Sequence, residues 1–190
     1  MLKAGVLGAG HLGKIHLKLL QQSTKYTLVG FYDTNQQAAE AIEQEYGYKS
    51  FPTMEALIQA CDMIDVVTPT IHHFKCAEKV ITAGKHLFIE KPITHTVTEA
   101  DMIRDLAKKH GVRGQVGQVE RFNPAFMAVN HMIDKPMFIE AHRLAEFNPR
   151  GTDVSVVLDL MIHDIDAILS VVKSDVKKVH ASGVSVISET

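Results

Sequence analysis

Three groups of residues in this sequence have types and spacings that could do chemistry. The first is the stretch Gly8–Gly13, which has glycine at its first, third and sixth positions. The second is Lys91, which stands between Glu90 and Pro92. The third is a set of polar residues at helical spacing within an apolar segment: Asp159, His163, Asp166 and Ser170. Their chemistries would be phosphate binding, stabilisation of negative charge and proton transfer, in that order.

The glycine stretch follows an apolar run and precedes an amphipathic segment, as in a strand, a tight turn and a helix. In such a unit Gly8 permits the turn, Gly10 leaves the backbone open to a pyrophosphate, and Gly13 lets the helix pack against the strand. His11 and Leu12 open the helix, whose unpaired N–H groups and positive dipole end favour phosphate. The same glycine pattern also occurs in ordinary strand–turn–helix joints, so taken alone it leaves both interpretations open.

An acid at the end of the next apolar run favours dinucleotide binding. Asp33 follows the run Tyr26–Tyr32 and lies twenty residues after Gly13. Such an acid accepts hydrogen bonds from the two hydroxyls of an adenosine ribose. Residues 34–36 include no Lys or Arg, so a 2′-phosphate would meet a carboxylate without a cation. The sequence therefore predicts NAD as the cofactor and disfavours NADP.

Apolar runs alternate with helical patterns over residues 1–120, which predicts an α/β fold with a doubly wound parallel sheet. Ligands of such sheets bind beyond the carboxyl ends of the strands. The glycine stretch, Thr68–Pro69 and Glu90–Pro92 all stand at such ends, so we expect them to converge on one crevice. The predicted helices are 36–46, 73–83 and 96–110, and the predicted later strands are 63–67, 86–89 and 113–119.

The alternation of strands and helices ends near Val119, which predicts a domain boundary there. Residues 1–120 would form the dinucleotide-binding domain, and residues 121–190 an incomplete α+β domain. Within the second part the patterns predict helices at 122–132 and 153–172 and strands at 137–147 and 177–187.

The helix predicted at 153–172 is apolar nearly all round, so we expect it to be buried. No Lys or Arg lies between 151 and 172, so its carboxylates need cations from elsewhere in the fold. His163 can take up a proton near neutral pH, and Asp159, one turn earlier, could orient the imidazole. Two other interpretations stay open: a solvated helix edge, and a metal site, for which no third ligand has a suitable spacing.

Lys91 follows a predicted strand, and Pro92 favours an extended backbone at Lys91. A lysine in a crevice can hold a hydroxyl oxygen and stabilise developing negative charge. The alternative is a solvated surface pair with Glu90.

The composition is that of a globular protein, with 46% hydrophobic residues and a net charge of −2 over 190 residues. Dispersed Lys and Arg give no footprint for nucleic acid or an anionic membrane. No apolar run approaches the ~20 residues of a membrane span. The first dozen residues are strand and loop, which leaves no room for a signal peptide. Cys61 and Cys76 are expected to be free thiols, and the location to be cytoplasmic.

In combination these features resemble the Gfo/Idh/MocA family, named after glucose–fructose oxidoreductase, inositol dehydrogenase and a rhizopine catabolism protein. The resemblance implies a Rossmann domain, an α+β domain, homo-oligomers (dimers or tetramers), and NAD(P)-dependent oxidation or reduction of a sugar or cyclitol hydroxyl. The motifs that carry it are the glycine stretch, Thr68-Pro69 with His73 behind them, Glu90-Lys91-Pro92, and Asp159-x-x-x-His163.

The resemblance also implies roles for single residues. Lys91, Asp159 and His163 match the family's catalytic set: His163 as acid/base, Lys91 fixing the reacting oxygen and Asp159 supporting the site. The implied cofactor-binding residues are Gly8, Gly10, His11, Leu12, Gly13, Asp33, Thr68, Pro69, His73, Glu90 and Lys91, with Glu90 on the nicotinamide side.

The stretch Val116–Pro124 is similar to the family branch that includes UDP-N-acetylglucosamine 3-dehydrogenases. On that likeness Arg121, Asn123 and Arg143 are expected to bind substrate, and arginines, Arg150 among them, could hold a pyrophosphate. The alternative is that the arginines pair with carboxylates of the chain, for which the sequence offers Glu120, Glu140 and Glu146.

Two further expectations follow from the family. Its members are usually longer, so part of the second sheet would be missing, an edge would be exposed, and this chain could be inactive. The family also contains dinucleotide-sensing regulators without catalysis, which is the alternative function. Intact Lys91, Asp159 and His163 favour the enzyme.

Overall fold

Five parallel strands form one sheet in the computed structural model, which describes residues 1–144 and 154–184. The strands are β1 (Leu2–Leu7), β2 (Tyr26–Tyr32), β3 (Met63–Val66), β4 (His86–Glu90) and β5 (Gly114–Gly117). Their order across the sheet is β2-β1-β3-β4-β5. From β1 the chain adds β2 on one side, and then adds β3, β4 and β5 on the other side. The order of the strands therefore reverses between β1 and β3, which is where doubly wound sheets bind ligands. The predicted parallel α/β sheet is confirmed.

Helices cover both faces of the sheet because parallel strands need crossover connections. They are α1 (His11–Gln22), α2 (Gln36–Tyr46), α3 (Met54–Ala60), α4 (His73–Thr82) and α5 (Val97–His110). On one face Leu17 of α1 and Ile42 of α2 pack with Phe31 of β2. On the other, α3, α4 and α5 pack against the strands through side chains such as Leu57 and Val80. Strands buried on both faces explain the continuous apolar runs.

The helix ends agree with the sequence signals. The Thr96 hydroxyl accepts a hydrogen bond from the Glu99 N–H, and the Glu99 carboxylate accepts one from the Thr96 N–H, which is the predicted capping box. Gly47 and Gly111 end α2 and α5 in the left-handed conformation.

Only some of the leucines of α1 face the sheet. Leu12 and Leu19 are exposed, whereas Gly13 and Leu17 are buried. The close approach of Gly13 to Gly8 fixes the rotation of α1 about its own axis. Leu17, one turn after Gly13, therefore faces the sheet.

The strands predicted after β5 are wrong over the described part of the chain. Residues 137–144 and 177–184 contain no strand, and the remainders of the two predicted strands, 145–147 and 185–187, lie outside the described residues. Alternation alone does not make a strand, because a strand needs a neighbour to pair with its backbone. The helix predicted at 122–132 is shorter: α6 spans Pro124–Val129 between 3₁₀ turns.

The long helix of the second part forms but is not buried. It begins with a π-helical segment, Val157–Met161, and continues as α7 (Ile162–Val171). It contacts the 3₁₀ turn Val119–Phe122, while apolar side chains such as Val157 and Leu169 stay exposed. The expected burial is therefore wrong for the described chain, because the helix is packed on one side only.

Cys61 and Cys76 are free thiols, as predicted, and both are buried. No helix within residues 1–144 and 154–184 is long and apolar enough to cross a membrane.

Candidate functional site

A cavity of about 990 Å³ lies beyond the carboxyl ends of β1 and β3. It contains the predicted residues Gly8, Gly10, His11, Leu12, Asp33, Thr68 and Pro69, together with Asp159. The strand order explains the convergence, since β1 and β3 are neighbours at the point where the chain reverses. Its other side chains come from Leu7, Tyr32, Thr34, Met54, Val67, His72, Lys75, Cys76 and Lys79.

The three glycines of the stretch have the geometries that a phosphate-binding turn requires. Gly8 has a φ of +92°, and a Cβ there would lie 2.8 Å from the Val67 carbonyl oxygen. A Cβ on Gly13 would lie 2.0 Å from the Gly8 carbonyl oxygen, so α1 approaches β1 only because this residue has no side chain. The Cβ position of Gly10 is open, with no atom within 4 Å. The turn therefore offers free space and bare backbone where a dinucleotide pyrophosphate would lie.

The different surroundings of Gly10 and Gly13 predict different effects of alanine. Gly10→Ala should fold as the parent does but bind NADH at least about tenfold more weakly, because the methyl group occupies the phosphate space. Gly13→Ala should also lower the unfolding temperature by several degrees, because backbone must move. Fluorescence titration with NADH and thermal unfolding of both variants check this. Equal unfolding temperatures would contradict the assigned packing role of Gly13.

Asp33 is held in place by two backbone donors. Its Oδ2 accepts a hydrogen bond from the Ala9 N–H at 2.7 Å, and its Oδ1 accepts one from the Asn35 N–H at 2.8 Å. Each oxygen retains a lone pair that a ribose hydroxyl can use. The carboxylate therefore joins the glycine stretch to the end of β2 and presents a fixed negative charge to the cavity.

Replacing Asp33 with serine should weaken NADH binding about tenfold and narrow the preference for NADH over NADPH. The proposed ribose contacts are lost, while Lys75 of α4 remains on the cavity wall to attract a 2′-phosphate. Lys79, on the same wall, is paired with Glu55. Titrations of both cofactors measure the ratio of dissociation constants. Asp134→Ser, on the exposed surface, is the matched control. An unchanged ratio of the two dissociation constants would show that Asp33 does not determine the preference for NADH over NADPH.

Lys91 contacts the cavity wall through Asp159. Its Nζ donates to the Asp159 carbonyl oxygen at 2.8 Å and lies 3.2 Å from Asp159 Oδ1. The Lys91 side chain is 17% exposed, so the interpretation as a solvated pair with Glu90 is wrong. The Lys91–Pro92 peptide bond is cis. The contact joins the carboxyl end of β4 to the helix that carries His163.

His163 has no hydrogen-bond partner for its Nδ1 among the described residues, although that atom is buried. Burial, followed by the nearby cations Lys91 and Arg143, lowers the pKa of His163 below its ordinary value. The imidazole is therefore neutral at pH 7 and able to accept a proton. The Asp159 carboxylate contacts Lys91, so the sequence-based idea that it orients the imidazole by hydrogen bonding finds no support in the geometry.

The cations needed by the carboxylates of the long helix do come from elsewhere. Arg121 and Arg143 pair with carboxylates, as the alternative interpretation proposed, but not with the glutamates it named. Arg121 makes two hydrogen bonds of 2.6 Å to Asp166, and Arg143 makes two of 2.8 Å to Asp164. The partners considered from the sequence were Glu120, Glu140 and Glu146. Proximity in the chain was misleading, because folding brings α7 against the turn at 119–122. Arg150 and Glu146 lie outside the described residues.

Asn123 and Arg121 lie away from the large cavity. The Asn123 side chain caps α6 by accepting from the Ala125 N–H, and it donates to Glu120. Arg121 lines a second cavity of about 640 Å³ between the start of α5 and the long helix. The structure thus brings Lys91, Asp159, His163 and Arg143 together and separates Arg121 and Asn123 from the dinucleotide cavity.

Two other predicted cofactor residues stand behind the cavity. His73 is 1% exposed, and its ring nitrogens lie 2.9 Å from the Pro92 carbonyl oxygen and 2.8 Å from that of Thr68. It links the loops after β3 and β4 and does not line the cavity. The Glu90 carboxylate likewise turns toward α1, where it meets His16.

Sequence inspection missed His16 and its partner Asp65. Asp65 is the single acid within the buried strand β3, and its Oδ2 lies 2.8 Å from His16 Nδ1. A carboxylate inside a strand that is covered on both faces needs a partner. The acid within the apolar run of β3 was therefore a sign in the sequence that Asp65 has a polar partner elsewhere in the fold. No group of three potential ligands that could hold a metal ion occurs in the described ranges.

The sequence and the fold of this chain are similar to those of known proteins. Residues 2–118 match GFO_IDH_MocA, "Oxidoreductase family, NAD-binding Rossmann fold". The UDP-N-acetylglucosamine 3-dehydrogenase of Acidithiobacillus ferrooxidans is 35% identical over 189 residues, covering 99% of this chain and 60% of that protein. A solved structure of that protein superposes with a TM-score of 0.90 over 98% of this chain. The inositol 2-dehydrogenase of Rhizobium meliloti is 33% identical over 173 residues, 85% of this chain and 52% of that protein.

The chain spans 60% of the first relative and 52% of the second. The family match covers the whole five-stranded sheet and the turn that ends at Gly13. A sheet reversing between β1 and β3, with an open glycine turn and a fixed acid beside it, is what an NAD-binding Rossmann unit requires. The chain therefore belongs to the Gfo/Idh/MocA family of NAD-binding Rossmann-fold oxidoreductases.

Proposed function

We propose that the protein is an NAD-dependent dehydrogenase that acts on a secondary hydroxyl of a sugar, a sugar nucleotide or a cyclitol. The observation that carries this proposal is the contact between Lys91 Nζ and Asp159. It holds a lysine against Asp159 at the wall of the dinucleotide cavity, with a neutral histidine near that lysine. A cavity that only bound a dinucleotide would not need that arrangement.

The residues divide the reaction between them. NAD, when bound, supplies the hydride acceptor. His163 takes the proton of the reacting hydroxyl, because its neutral imidazole can accept one at pH 7. Lys91 donates a hydrogen bond to the same oxygen and stabilises the negative charge that grows as the proton leaves. Asp159 holds the Lys91 ammonium in position through two contacts.

The names of the relatives narrow the substrate class. They are dehydrogenases of UDP-N-acetylglucosamine, of glucose 6-phosphate and of inositol. A hydroxyl on a polyhydroxylated ring is common to the three, so we propose such a ring for this protein. Arg143, which lies near His163, is the best-placed of the three predicted substrate residues, although an anionic substrate would compete with Asp164 for it.

We also propose that residues 1–120 form the NAD unit and that residues 121–190 contribute to the substrate unit and to a homo-oligomer. The exposed apolar side chains of the long helix support an interface there. Light scattering of the chain, with and without NAD, measures the oligomeric state. A strict monomer at high concentration would contradict the oligomer.

The deciding experiment is a screen with NAD and UDP-sugars, phosphorylated and free sugars, and inositols, followed by NADH absorbance. We expect turnover with one class and none with primary alcohols. Tight NADH binding without turnover of any substrate would contradict the proposed activity and favour a dinucleotide sensor.

A further inference from the structure

A largely buried histidine links the helix that begins at the glycine stretch to the strand that ends at Glu90, just before Lys91. His16 lies on α1, and its Nδ1 is 2.8 Å from Oδ2 of Asp65 on β3. Its Nε2 is 3.3 Å from Oε1 of Glu90 on β4. The three side chains are between 6% and 17% exposed. The imidazole is therefore enclosed between two carboxylates.

The charges explain why a histidine stands there. Burial by itself would disfavour the imidazolium, but hydrogen bonds to Asp65 and Glu90 outweigh burial and raise the pKa of His16 to about 10. Burial also raises the pKa of Asp65, whose Oδ1 has no partner among the described residues. Among the described residues, the only other ring beside His16 is that of Phe88, which carries no charge. Without the imidazolium, two poorly solvated carboxylates would face each other.

Glu90 is constrained on its other sides as well. Its Oε2 accepts a hydrogen bond from the Lys91 backbone N–H at 3.1 Å. Gly117 is its register partner on β5, and a Cβ there would lie 2.6 Å from Glu90 Oε1. The strand register and the absence of a side chain at Gly117 leave room for the Glu90 carboxylate between His16 and the backbone of Lys91.

We propose that His16 is a positioning residue: it fixes the Glu90 carboxylate and thereby sets the backbone of Lys91, from which the lysine reaches Asp159. The helix α1 then does two things, since its N-terminus faces the phosphate space and its second turn steadies the reactive lysine. The catalytic meaning of this inference rests on the proposed function, whereas the charge and geometry can be tested without turnover.

The first test measures the protonation of His16 directly. Long-range ¹H–¹⁵N spectra of the labelled chain should show both ring nitrogens of His16 protonated until the pH approaches about 10. The His16→Gln variant assigns the signal. Loss of the second proton near 6.5, the ordinary value for histidine, would overturn the proposal.

The second test separates positioning from stability. His16→Gln should lower turnover roughly tenfold to a hundredfold with little change in KM for NAD, because Lys91 is misplaced while the phosphate space is intact. Asp65→Asn also loses stability but leaves the His16–Glu90 contact, so its turnover should stay near that of the parent. Glu90→Gln replaces His16→Gln if the latter does not fold, with the same loss of turnover expected. His131→Gln, on the exposed surface, is the control.

Equal losses of turnover in His16→Gln and Asp65→Asn, or full turnover in His16→Gln, would overturn the proposal. If the parent chain turns over none of the tested sugars, the proposed function fails and two readouts still decide this inference. One is the protonation of His16. The other is the backbone amide signal of Lys91, which donates to Glu90 and should shift in His16→Gln and stay in place in Asp65→Asn.

Discussion

Replacing Lys91 with alanine is expected to lower turnover by about two to three orders of magnitude while NADH binds almost as tightly as before. The lysine is the cation that reaches from β4 to Asp159, and no other cation contacts Asp159 among the described residues. Gly10 and Asp33, where a pyrophosphate and a ribose would bind, follow other strands and stay intact. Steady-state kinetics and NADH titration measure the two effects separately.

Two matched variants sharpen the result for Lys91. Lys109→Ala removes an exposed lysine at the end of α5 and should change neither quantity. Lys91→Arg keeps the charge but not the compact ammonium, so it should recover less than full turnover. Unchanged turnover in Lys91→Ala would remove the lysine from the chemistry, even if the family assignment stands.

Replacing His163 with asparagine is expected to lower turnover by about two to four orders of magnitude, the usual contribution of a general base. The effect on the pH profile is more diagnostic than the loss itself. Burial and the neighbouring Lys91 and Arg143 lower the pKa of His163 below 6.5. The base form is therefore present at neutral pH, and oxidation should decline only as the pH falls through that lowered value.

The profile of kcat/KM against pH checks this assignment. The acidic limb should lie below 6.5 in the parent and vanish in His163→Asn. Arg143→Gln removes one of the cations that disfavour the imidazolium, so its limb should move to higher pH. If the acidic limb stays at the same pH in both variants, it belongs to the titration of another group.

The local parts of the fold were predictable because their causes are local. Thr96 and Glu99 cap a helix through contacts three residues apart, and Gly47 ends one because it adopts a positive φ. Strand 63–66 was recognisable from its apolar run, and the site at the β1–β3 reversal followed from the connection rules of parallel sheets. The strand predicted at 137–147 failed where described, because its stability would depend on a neighbour that the pattern does not specify.

The sequence by itself determined the Rossmann unit, the glycine turn with Asp33, and the three residues Lys91, Asp159 and His163 as the chemistry to test. The tertiary structure decided how they are arranged. Asp159 holds Lys91 and not His163, Asp164 and Asp166 hold the arginines, and His16 joins Asp65 to Glu90. The reason is physical: turns, caps and periodic faces depend on neighbours in the chain, whereas the partner of a buried charge is chosen by which strands and helices meet in space.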